Sequence, residues 1–254
     1  MSCPEIRTRR LGLTAAAVVV AMALTTAAAA QSIVVRSTGP SASKYPVGTK
    51  LKPSDRVTLV EGDKLVLIQG GKTRTVSGKV TFTAGATVQA SQSMGTTVTR
   101  MMAKGPTVRS RGGFSREAIQ AQPDELRAPN LWLLDYRQGG TFCVADPATL
   151  MLWRPDMASD TALTIALGDK SETVALVSGA QFRKWPLDTV PVEYDVDYRL
   201  SGGGLTAPVT VRFAAVAAMP ETPDAAGEML MAKGCTPQLD RLVDAMAEAE
   251  AAGG

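Results

Sequence analysis

Leu163-Thr164-Ile165-Ala166-Leu167-Gly168-Asp169-Lys170-Ser171-Glu172-Thr173-Val174-Ala175-Leu176-Val177 is the stretch that decides the fold. β-Branched and apolar residues lie on both sides of Gly168-Asp169, a turn dipeptide, so it reads as strand, turn, strand. The same grammar repeats around it. Leu131 to Asp135, Gly140 to Val144 and Leu150 to Trp153 precede it, and Gln181 to Trp185, Tyr194 to Leu200 and Val209 to Phe213 follow. Short strands with regular turns predict an immunoglobulin-like β-sandwich over residues 129–216. Gly202-Gly203-Gly204 follows a strand with neither a helix nor a lysine after it, so it reads as a hairpin or bulge rather than a phosphate loop.

Beyond the sandwich, residues 217–254 carry two helix starts. Thr222-Pro223-Asp224 supplies an N-cap, a first-position proline and an early acid, and Gly234 stands where a helix should end. Thr236-Pro237 repeats the signal, and Leu239, Leu242, Val243 and Met246 form one apolar stripe. Cys143 sits in an apolar strand and Cys235 between the two helices. An even pair in an exported chain predicts a disulfide, which would dock the helical tail on the sandwich. The alternative is two free thiols.

Upstream, residues 31–87 alternate short β-branched runs with glycine turns and show no helical period, which predicts a second, smaller β-domain. The fold class is therefore mainly β: a small N-terminal β-domain, an immunoglobulin-like sandwich and a C-terminal helical tail. Tyr45-Pro46-Val47-Gly48-Thr49-Lys50-Leu51, Asp55-Arg56-Val57-Thr58-Leu59 and Gly62-Asp63-Lys64-Leu65 together resemble the FecR-type periplasmic domain. That family shares the Gly-x-x-Leu step, the strand and the Gly-Asp turn in an all-β module. The resemblance spans residues 33–87 and implies envelope signalling or binding without catalysis. Regulators of the family place a cytoplasmic helical segment before their membrane stretch. Only ten residues precede Leu11, so sigma-factor control is not expected.

Residues 88–128 are rich in Ser, Thr, Gly, Gln and Arg and read as a flexible linker, with a basic arm for an anionic surface as the alternative. With so few apolar residues between them, the two β-domains are expected to fold independently. The N-terminal residues 1–30 differ in kind. Arg7, Arg9 and Arg10 precede a small-apolar run from Leu11 to Ala30 that ends in Ala28-Ala29-Ala30. This reads as a signal peptide cleaved after Ala30, and a periplasmic or secreted location follows. If it is not cleaved, the run becomes a membrane anchor.

Composition narrows the function. The 254 residues are 45% hydrophobic and 20% charged, too apolar for a disordered chain. Histidine is absent altogether, which removes Ser-His-Asp and Cys-His catalysis and His-type zinc sites. Taking away residues 1–30 leaves 24 basic and 23 acidic residues of the original 27 and 24, net +1. Such balance gives no case for nucleic acid. No serine lies in a Gly-x-Ser-x-Gly elbow, and Ser43-Lys44 are adjacent rather than spaced as a helical dyad.

Three features remain. Glu193, Asp195 and Asp197 share a face at strand spacing and offer oxygen ligands for calcium, or simply a solvated strand face. Trp132, Trp153 and Trp185 read as core or as a recognition groove, with Trp153 and Trp185, at strand ends, the candidate binding surface. No residue is assigned to catalysis, a cofactor or a metal. The expected function is a non-enzymatic binding, scaffold or sensor module of the envelope for a protein or glycan partner. The alternative is a periplasmic hydrolase that uses carboxylates.

Overall fold

A computed structural model describes residues 31–85, 101–102, 126–217 and 220–252. The expected signal peptide, 1–30, lies outside the described residues. The chain is mainly β, with two C-terminal helices.

The hairpin that opens the sequence argument is β10 (Thr161–Leu167) and β11 (Lys170–Leu176), paired residue for residue from Leu167–Lys170 to Thr161–Leu176. Gly168 takes φ +56°, as a two-residue turn with glycine in first place requires. The hairpin joins β13 (Asp197–Gly202), β14 (Val209–Ala215) and β8 (Gly140–Val144) in a five-stranded sheet ordered β11-β10-β13-β14-β8. β12 (Phe182–Lys184), β9 (Met151–Trp153) and β7 (Leu133–Asp135) form a smaller opposing sheet.

Leu134, Leu152 and Trp185 from one side meet Leu163, Ile165, Tyr198, Leu200 and Phe213 from the other in one buried cluster. The result is a β-sandwich. Tyr198 gives it an immunoglobulin-like corner. Its hydroxyl donates to the Pro191 carbonyl at 2.8 Å and accepts from the Glu193 N–H at 2.6 Å. Burial pushes that hydroxyl above its ordinary pKa, so it stays protonated and able to donate.

The N-terminal unit stacks a four-stranded sheet on a ribbon. β1 (Ser32–Thr38), β2 (Lys50–Leu51), β4 (Lys64–Gln69) and β5 (Lys72–Ser77) are ordered β2-β1-β4-β5, and β3 (Arg56–Leu59) pairs with β6 (Val80–Thr83). Leu65-Val66-Leu67-Ile68 in β4 is an unbroken apolar run because the strand is buried on both faces. Leu65 and Leu67 face the ribbon with Val34, Val57 and Leu59, whereas Val66 and Ile68 face the other way with Val35.

What covers that second face links the two β-units. Helices α1 (Pro223–Ala232) and α2 (Thr236–Ala252) join Val35, Val66 and Ile68 to Trp132, Cys143 and Ala214 of the sandwich in a single core. Gly227 lets α1 come close, since a Cβ there would lie 3.3 Å from Ile68 Cδ1. The two β-units therefore share a core. The tail docks on both rather than on the sandwich alone.

Most of the expected linker, 88–128, falls outside the described residues. Met101 and Met102, which are described, are buried in this same core. Their soft side chains fill the gap beside Trp132, whose indole N–H donates to the Met102 carbonyl at 3.1 Å. The Cys143–Cys235 disulfide is formed, with Cα atoms 5.8 Å apart. Among the described residues no helix is long and apolar enough to cross a membrane.

Candidate functional site

Arg36 interrupts the apolar start of β1, and α2 explains why. Its guanidinium donates to Asp240 at 2.7 Å and reaches Asp244 at 3.5 Å. The hydrogen bond to Asp240 holds Arg36 above its ordinary pKa. Nearby, Lys50 Nζ lies 3.1 Å from Glu228 of α1. Ion pairs from two basic residues, Arg36 and Lys50, thus tie the N-terminal sheet to the helices. Both are half-exposed, so each contributes no more than about 1 kcal/mol.

Beside these ties, the sheet and helices leave an open groove of about 560 Å³. Val35, Leu230 and Leu239 are buried around it, and Met231 lines it as well. Val47 stands on its rim, 51% exposed. The end of α1 at Ala232 and Gly234 and the start of α2 at Thr236 close one side. Its size falls within the range of ligand pockets, roughly 300–1,000 Å³, and seams between units are where such pockets gather. Chemically it offers apolar contact with the charges of Arg36, Lys50, Glu228 and Asp240 at the edge, and the hydroxyls of Ser37 and Thr236.

The tryptophans do not form the expected binding surface. Trp153 and Trp185 are 1% and 3% exposed. Trp185 donates its indole N–H to the Val190 carbonyl at 2.7 Å, which lets the ring be buried without an orphaned donor. Edge-on contacts to Tyr198 and Phe213, at 5.4 and 5.0 Å, put it in the centre of the sandwich. Trp153 packs with Ala128 and Leu133, and the Arg137 guanidinium lies over its ring at 5.5 Å. Both strand-end positions turn inward.

Nor do the three acids share one face. Asp195 takes φ +60°, a left-handed turn that breaks the strand period before β13 begins at Asp197. Glu193 points to Lys170 at 3.8 Å and Asp197 to Arg212 at 2.7 Å. Among the described residues no three carboxylates or cysteines converge as a metal site would need. The groove itself escaped the sequence reading. Arg36 and Asp240 are 204 positions apart, and the only local signal was a charge set inside an apolar run.

No family model matches this chain, and no curated protein or solved structure does.

Proposed function

We propose that this chain is an exported, non-enzymatic binding or scaffold module of the cell envelope, and that its groove takes an apolar side chain of a protein partner. The single observation that carries this reading is the groove between β1 and the helices, about 560 Å³ and floored by aliphatic side chains. Its lining contains no aromatic ring, and aromatic faces are what sugar recognition generally uses, so a protein is favoured over a glycan. The FecR-like turns of residues 33–87 and the signal-like start support an envelope address.

A photo-crosslinking side chain at Val47, with Val60 as the control, tests this in intact cells. Val60 is 43% exposed and lies outside the groove. An adduct with an envelope protein at Val47 but not at Val60 is expected. No adduct, or equal adducts at both, would remove the groove from the argument. Fractionation and intact mass test export: a chain that begins at Gln31 in the periplasm is expected. A chain that keeps residues 1–30 in the cytoplasm would sink the envelope reading.

A further inference from the structure

The near-neutral charge of the mature chain hides a separation of charge within it. Residues 31–85, the N-terminal unit, include nine basic and three acidic residues, net +6. Residues 220–252, which hold both helices, include two basic and seven acidic residues, net −5. Where the two meet, charge is matched: Arg36 faces Asp240 and Asp244, and Lys50 faces Glu228. The surplus of cations lies on the other side of the unit. The β3–β6 ribbon covers one face of the four-stranded sheet and the helices cover the opposite one, so the outer face of the ribbon is turned away from the helices.

Arg56, Thr58, Thr81 and Thr83 make up that outer face, because Val57, Leu59, Val80 and Phe82 alternate with them and pack inward. Cations surround it. Lys52 stands in the turn before β3 and Lys79 directly before β6, so in an antiparallel ribbon they mark its two ends. Lys44 lies over the Tyr45 ring at 5.3 Å, and the Tyr45 hydroxyl accepts from the Thr58 N–H at 3.1 Å, which sets Lys44 beside β3. From the sheet, Arg74 stacks on Phe82 at 4.3 Å and donates to the Thr83 carbonyl at 3.4 Å. Lys72 shares its face of β5. Two carboxylates stand against these six cations: Asp55, which accepts from the Lys52 N–H at 2.8 Å, and the exposed Glu61. The third acid, Asp63, is buried. Lys44, Lys52, Arg56 and Lys79 are exposed, and no ion pair joins them to an acid among the described residues.

We propose that this face binds the surface of an anionic phospholipid bilayer. Its surplus of positive charge is spread over a strand face, the ends of the ribbon and one flank, and is not gathered in a cleft. A bilayer presents its phosphates in the same way, across a plane. Four of the six cations are lysines, hydrated point charges without the fork that grips a single phosphate. The threonine hydroxyls between them can donate to headgroup oxygens. No apolar side chain projects from the outer face of the ribbon, so the contact stays at the headgroups. Each lysine or arginine beside an anionic leaflet raises binding about fivefold, and that field fades within a Debye length of roughly 10 Å. The acidic helices on the opposite side are repelled by the same surface, which orients the molecule with the ribbon against the bilayer.

Co-sedimentation of the chain from Gln31 with lipid vesicles tests the proposal. Binding is expected to vesicles of phosphatidylcholine mixed with phosphatidylglycerol and not to phosphatidylcholine alone, and it should fade as salt rises from about 0.05 to 0.5 M. Lys52→Gln, Arg56→Gln and Lys79→Gln combined should weaken it about a hundredfold. Arg183→Gln, Lys184→Gln and Arg199→Gln combined remove as much exposed charge from the sandwich and should weaken it no more than about threefold. Thermal unfolding checks that both variants are folded. If the first does not fold, its single substitutions, each expected to cost about fivefold, carry the test. No binding at low salt, equal binding to the neutral vesicles, or equal losses in the two variants would overturn the proposal. So would tighter binding to soluble polyphosphate than to vesicles of equal phosphate content, which would assign the face to an anionic polymer.

Discussion

Gln238 of α2 satisfies both main-chain polar groups of Cys143 in β8. The side-chain carbonyl accepts from the Cys143 N–H at 2.6 Å, while the side-chain amide donates to the carbonyls of Cys143 at 3.1 Å and Leu131 at 3.0 Å. The residue is only 2% exposed. One side chain thus closes a sheet edge and fixes the helix that follows directly after Cys235.

Replacing Gln238 with leucine keeps the volume and strands three buried backbone groups. Each orphaned group costs on the order of 1 kcal/mol or more, so a loss of about 3 kcal/mol is expected. Urea unfolding measures it, and mass spectrometry should find the disulfide still formed. A variant as stable as the parent would show that water or a relaxed backbone replaces Gln238.

The disulfide links residues 92 positions apart. Chain-entropy arithmetic for a loop of that size gives about 4–5 kcal/mol as an upper guide. The pair Cys143→Ala with Cys235→Ala should therefore destabilise the protein by up to about that amount. Because α1 and α2 also cover Val35, Val66 and Ile68, the loss should reach the N-terminal unit. Amide exchange in β4 should rise together with exchange in β14. If β4 remains fully protected while β14 opens, the shared core does not couple the two units.

How far the sequence could carry this architecture depends on the range over which each feature is set. The β10–β11 hairpin follows from period and a turn dipeptide, and Thr222 caps α1 by accepting from the Ala225 N–H at 3.3 Å. Both are local. Trp153 and Trp185 could not be placed by their strand-end positions, because the register Phe182–Trp153 and the Val190 carbonyl decide their burial. Asp195 shows the same limit from the other side: a single positive φ undid the shared face that strand spacing promised. The groove needs β1, α1 and α2 at once, and no local pattern encodes that meeting. Met101 and Met102 read as linker for the same reason, since only the helices define the gap they fill.

Gly39 and Gly62 bring two turns of the N-terminal unit together. Gly39 has φ +101°, and a Cβ there would lie 2.6 Å from the Gly62 carbonyl oxygen and 2.7 Å from Asp63 Cα. Gly39→Ala combines backbone strain with a clash against main chain, so a loss above about 2 kcal/mol is expected. Gly78 has φ +77° and open space around it. There alanine meets strain alone, about 1–2 kcal/mol. Equal losses at the two sites, compared by thermal unfolding, would mean that the turns separate easily.

Asp63, on the same turn, makes stability depend on pH. Its carboxylate accepts from the Ser41 N–H at 2.8 Å and from the Val60 N–H at 2.6 Å. Burial pushes the carboxyl up, but the hydrogen bonds from Ser41 and Val60 outweigh it and hold the pKa below its ordinary value. A carboxyl depressed in the folded state stabilises above its unfolded pKa, near about 4, and loses that contribution as pH falls through the folded value. Asp224 opposes this trend, since burial raises its pKa. Comparing the parent with Asp63→Asn cancels Asp224, because both proteins carry it. Asparagine cannot accept from both N–H groups, so the variant should be less stable at neutral pH. The gap between the two urea midpoints should stay constant from pH 7 to about 5 and close below about 4. A gap that widens with acid would mean that the carboxylate is not what holds the Ser41 and Val60 turns together.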